Sequence, residues 1–135
     1  MHLRRRGHTA HALREGVIVL GGFGAPLLVK NDDGSSSTSS ADGRVGVVVR
    51  STNGCSFALQ PTSGAPPPRS EQHASVLCRV PLPPEGKLSE CVVLHGGRTS
   101  PAVALSEVHI LDTSCWEWRK AEMTGVRFPC LNMTL

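Results

Sequence analysis

Six histidines, five cysteines and eleven acids are the groups in this 135-residue chain that could bind metal, attack a substrate or carry a proton. The cysteines stand at 55, 78, 91, 115 and 130, at spacings of 23, 13, 24 and 15. No Cys-x-x-Cys occurs and no Cys/His quartet has zinc-finger spacing. The set reads as scattered, half-buried thiols in a reducing compartment. The histidines stand at 2, 8, 11, 73, 95 and 109. His95 and His109 lie inside apolar runs and read as satisfied sheet residues. Glu85, Glu90, Glu107, Asp112, Glu117 and Glu122 form no spaced pair that would mark a carboxylate dyad. There is no Gly-x-Ser-x-Gly, no P-loop lysine and no His-Glu-x-x-His. Gly21-Gly22-Phe23-Gly24 opens no helical pattern, so it is not a dinucleotide loop. No catalytic, cofactor-binding or metal-binding set is expected. Arg4-Arg5-Arg6 could touch a phosphate or an acidic partner. It lacks the interleaved aromatics of a single-strand stacking surface and reads first as a solvated basic end.

The elements that would hold these residues follow from composition and pattern. Glycine and proline make up 24 of 135 residues, and 39% of the chain is hydrophobic. That is enough apolar surface for one small domain, and too many turn formers for a helical bundle. The formal charge of +3 is too mild to imply nucleic acid. No run of eighteen apolar residues exists, so no membrane partner is expected. Basic residues ahead of Gly16–Val29 imitate a signal peptide. Glu15, Gly21-Gly22, Pro26 and the absence of a small-x-small cleavage site count against one.

Short apolar runs recur between turn residues. Val17–Leu20 runs into Gly21-Gly22. Val45–Val49 leads to Asn53-Gly54, a hairpin signal, and then to Phe57–Leu59. Cys91–Leu94 leads to Gly96-Gly97, and Val108–Leu111 meets Asp112 before Trp116-Glu117-Trp118. No window of eleven residues holds a clean helical period. Residues 31–43, with their Ser/Thr run, read as an inserted floppy loop, and 79–87 as an extended loop. Residues 61–68 read as a Pro-rich linker or a ligand for an aromatic groove.

A repeat emerges when Arg4-(x3)-His8 is laid over Arg69-(x3)-His73. Each unit reaches an apolar run ending in a double glycine, and the two pairs stand 75 residues apart. Each continues through a variable loop to a second apolar run and ends in an aromatic strand, carrying Phe57 or Trp118. The tails match: Phe57 to Gly64 and Trp118 to Gly125 are both seven residues. Without about 25 residues of loop, the period approaches the roughly 50 residues of a four-stranded propeller blade.

This order of features resembles the Kelch repeat. The second unit fits best, through Val92-Val93-Leu94-His95-Gly96-Gly97, Val108–Asp112 and Trp116 or Trp118. In the first, Arg50 stands where the Asp belongs and Phe57 replaces the Trp. A third unit starts at Pro129. The resemblance implies an all-β fold: a partial Kelch-type β-propeller of about two four-stranded antiparallel blades with long loops. A degenerate blade would span 1–60, a linker 61–68, a second blade 69–128 and the start of another repeat 129–135. It also implies that Gly21, Gly22, Gly96, Gly97, Asp112, Trp116, Trp118, Arg69, His73 and His8 maintain the fold. Closed propellers need roughly four to eight blades, so the chain is expected to be part of a larger ring.

The function expected from the resemblance is a non-catalytic scaffold or adaptor that binds another protein through its loops, in the cytoplasm or nucleus. Arg98 and Arg119 are the candidate contact residues. The alternative rests on Gly-Gly-Phe-Gly and Gly-Gly-Arg-Thr-Ser-Pro. These look like the Kelch half of leucine carboxyl methyltransferase-like proteins of tRNA wybutosine synthesis. That likeness implies an accessory region, with tRNA as partner and the methyltransferase half absent from this chain.

Overall fold

The computed structural model describes residues 5–14, 16–24, 28–30, 36–38, 47–51, 57–68 and 71–122. Among them there is no helix, and the fold is all-β. The first half holds β1 (Arg5–Arg6), β2 (Thr9–Leu13), β3 (Gly16–Leu20), β4 (Phe23–Gly24), β5 (Leu28–Lys30), β6 (Ser36–Thr38), β7 (Val47–Ser51) and β8 (Phe57–Leu59). The connector carries β9 (Ser63–Gly64). The second half holds β10 (Glu71–Leu82), β11 (Lys87–Ser100), β12 (Val103–Ala104), β13 (Val108–Asp112) and β14 (Glu117–Lys120).

Two antiparallel four-stranded meanders dominate, β2-β3-β7-β8 and β10-β11-β13-β14. Runs such as Val17-Ile18-Val19-Leu20 form their second strands because branched side chains pack well on a pleated surface. The two meanders have one and the same register in all three ladders. Thr9 opposite Leu20 becomes Ala74 opposite His95. Gly16 opposite Ser51 becomes Cys91 opposite Asp112. Arg50 opposite Phe57 becomes Leu111 opposite Trp118. The equivalence extends past the meander, where Arg6 opposite Phe23 matches Glu71 opposite Arg98. Both double glycines have left-handed backbones, φ 62° and 81° at Gly21 and Gly22, 73° and 85° at Gly96 and Gly97. Side chains other than glycine rarely tolerate that conformation, which is why these residues recur here.

The register corrects one detail of the sequence reading. Ser51, not Arg50, stands at the position of Asp112. Leu20 and Leu94 lie one register step apart on equivalent strands, and both are buried in one core cluster.

That cluster joins the meanders: Ile18 and Leu20 from the first, Val92, Leu94, Leu111 and Trp118 from the second. Leu77, Val92, Leu111 and Trp118 form a row across all four strands of the second meander. Directly opposed residues share a face, so this row marks its front. Ile18 and Leu20 correspond to Val93 and His95, on the opposite face. The meanders therefore stack head to tail, the back of the first on the front of the second. Each aliphatic side chain buried between them contributes about 2 kcal/mol.

Three segments depart from expectation. Of residues 79–87, read as an extended loop, Arg79–Leu82 belong to β10 and Lys87 to β11, and Leu82 pairs with Lys87 across a tight hairpin. Ser36–Thr38, inside the stretch read as a floppy loop, pairs with β5 as a short antiparallel ribbon. Segment 61–68 is more than a spacer. β9 runs parallel to β14, through Ser63 N–H to the Trp116 carbonyl (3.0 Å) and Ala65 N–H to the Trp118 carbonyl (3.0 Å). Pro67 is fully buried, so it is not offered to another protein's groove. Arg69, the Asn53-Gly54 turn and the start of a third unit at 129–135 lie outside the described residues.

Candidate functional site

The seam between the meanders is built from β2 and β10, the first strand of each. Four side chains cross it in a chain. Ser75 Oγ donates to Thr9 Oγ1 at 2.7 Å. A hydroxyl has one proton, so the remaining roles follow. His11 Nε2–H donates to Ser75 Oγ at 2.6 Å, and Thr9 Oγ1–H donates to His73 Nε2 at 2.8 Å. His73 is thereby the neutral Nδ1–H tautomer. It is 4% exposed, and its Nδ1 has no hydrogen-bond partner among the described residues. Burial, then the neighbouring charges of His8 and His11, lowers its pKa to about 4. Burial also lowers that of His11.

His8 and His73 are equivalent by register, yet His8 is exposed. The difference follows from the stacking. His73 is on the front of the second meander, which the first covers. His8 is on the front of the first, where Ala10 and Ala12 are exposed and Val17 is 38% exposed.

At the glycine end of the seam lies a cleft of about 290 Å³ lined by Arg6, Gly7, Gln72, Arg98 and Pro101. The backbone ties its two sides together, because Gln72 N–H donates to the Gly7 carbonyl at 2.9 Å. Gly7 and Gln72 are equivalent positions with the same left-handed turn, φ 66° and 57°. Glycine adopts it freely, whereas a glutamine there is strained by about 1 kcal/mol. Gly22 sets the approach of the Arg6 side. A Cβ on it would stand 2.7 Å from the Arg6 carbonyl oxygen and 3.0 Å from His8 Cβ. Arg98 is half-buried, and its Nε is buried with no hydrogen-bond partner among the described residues.

The other residues singled out from sequence sit elsewhere. Arg119 is on β14, bridged to Glu117 at 3.2 Å, and does not join Arg98 at the cleft. Asp112 is 5% exposed and accepts from Ser114 N–H (2.9 Å), Ser114 Oγ (2.7 Å) and Ser89 Oγ (3.4 Å). Burial opposes its ionisation, but hydrogen bonds from Ser114, Cys115 and Ser89 outweigh burial and lower its pKa. Trp118 is the core tryptophan, 1% exposed, with an indole N–H that has no partner among the described residues. Trp116 is in the turn before it, at φ 56°, packed on the cluster's margin.

Sequence reasoning had named Arg98 and, within the basic end, Arg6. It had no means to join them with Gly7, Gln72 and Pro101. Among the described residues no three His, Cys, Asp or Glu side chains could hold a metal ion. No helix among them is long and apolar enough to cross a membrane. Comparison with family models, with curated proteins and with solved structures finds no match.

Proposed function

We propose that the chain is a non-catalytic protein-interaction module built as two consecutive Kelch-type propeller blades. The observation that carries this is the repeated register combined with head-to-tail stacking. Front-on-back packing of equivalent sheets leaves one front and one back uncovered by the pair, so the same contact can recur around a ring. On this reading the double glycines place the loops after β3 and β11 on one rim, where a rigid framework displays them to a partner.

Quantitative affinity capture tests it, comparing the wild-type chain, a chain with residues 99–106 replaced by Gly/Ser, and Lys87→Glu on the far hairpin. A partner recovered by wild type and Lys87→Glu, and lost with the replaced loop, is the expected result. Recovery indifferent to the loop, or no protein above the bead control, refutes the reading.

A further inference from the structure

Arg6, on β1 beside the first meander, and Arg98, on β11 of the second, are far apart in sequence and line one small cleft with Gln72 and Gly7. We propose that this cleft binds a phosphorylated side chain of the module's protein partner. The proposal deepens the interaction reading and rests on it.

Three observations converge. Arg98 holds a buried guanidinium N–H with no acceptor among the described residues, and buried donors of that kind are rare and costly. Gln72 keeps a strained left-handed backbone where the equivalent residue is glycine. Such strain persists where the surroundings hold it, and functional sites are where it collects. Here the strained residue lines the same cleft as the two arginines. The cleft is open on one side and its volume of about 290 Å³ has room for one side-chain head group.

Donor count selects phosphate over carboxylate. The Arg98 guanidinium and the Gln72 carboxamide together carry more N–H groups than a carboxylate can accept, whereas a phosphomonoester brings three acceptor oxygens and a charge of about −1.5 to −2. Arginine's planar fork suits such oxygens better than a lysine.

The test is fluorescence anisotropy with the full chain. The probes are a fluorescein-labelled Gly/Ser dodecapeptide with one phosphoserine, its unphosphorylated form and its Ser→Glu form. The phosphopeptide is expected to bind, and the unphosphorylated form not to. Arg98→Ala should weaken it about tenfold or more, Arg98→Lys less, and Lys87→Ala not at all. Arg98→Lys retains the stem and charge, so its effect is read on a folded chain, checked by circular dichroism. Equal binding of all three peptides overturns the proposal, as does indifference to both Arg98 substitutions. Tighter binding of tRNA that the phosphopeptide fails to displace overturns it in favour of nucleic acid. The two readings fail separately. Loss of partner capture with the 99–106 replacement but not with Arg98→Ala sinks the cleft and leaves the module standing.

Discussion

Acidification should loosen the seam through His73. Its imidazole accepts from Thr9 at Nε2, has no partner at Nδ1 among the described residues, and titrates near pH 4. Protonation would put a second buried N–H on the ring, facing a hydroxyl that already spends its proton on it. The native pKa is depressed below the ordinary 6.5. Above pH 6.5 both folded and unfolded His73 are neutral, and the full stability is present. Between 6.5 and 4 the unfolded chain takes the proton and the native one does not, so stability falls as pH falls. A gap of about 2.5 pH units at about 1.4 kcal/mol each is worth on the order of 3 to 4 kcal/mol, about a third of a typical domain's stability. His11 is shifted in the same direction and adds to the loss. Against a domain stability of about 5–15 kcal/mol the effect is large. Urea unfolding followed by tryptophan fluorescence at pH 7.5, 6.5, 5.5 and 4.5 measures it, because Trp118 is in the core cluster that joins the two meanders. His73→Gln should start lower and lose much less over that range. A wild-type stability that is flat from pH 7 to 4.5, or an unchanged pH slope in His73→Gln, would refute the reasoning.

Three further outcomes are expected. Gly22→Ala brings a Cβ within 2.7 Å of the Arg6 carbonyl and strains φ 81°, so it should cost at least about 2 kcal/mol in urea unfolding. The same substitution should weaken phosphopeptide binding, because Arg6 sits on the displaced turn. Asp112→Ala strands the Ser114 N–H and both serine hydroxyls, costing about 2 kcal/mol at pH 7. The difference from wild type should shrink in acid, where the depressed carboxyl finally takes a proton. Cys91 is buried, and burial, then Asp112 and Cys78, pushes its thiol up to about 11. Iodoacetamide mapped by mass spectrometry should label exposed Cys115 about tenfold or more faster, until urea equalises them.

The double glycines, the repeat and the core role of Trp118 were legible because each is a residue type that only one backbone or packing environment favours. A double glycine after a Val-rich run announces a left-handed turn. A tryptophan on an alternating strand announces a buried face. Register was less legible. Nothing local distinguishes Arg50 from Ser51 as the counterpart of Asp112, since one residue of slip is decided by the facing strand. The left-handed Gln72 was invisible, because glutamine does not advertise that conformation as Gly7 does. The bond from Thr9 to His73, 64 residues apart, became apparent only once front met back. Stacking also explains why two equivalent histidines differ in burial, which repeat matching alone would have made alike.

The connector has a consequence for how this chain comes into being. Gly64, at φ 85°, lies so close to β14 that a Cβ would collide with the Trp118 carbonyl oxygen. The last strand of the second sheet is thus gripped by a residue synthesised long before it. β13 flanks β14 on one side, and on the other β9 pairs with Glu117 and Trp118, so half of its outer edge is covered from within the chain. Severing the chain anywhere in 65–68 would remove more than a tether. It would turn an intramolecular clasp into a bimolecular encounter.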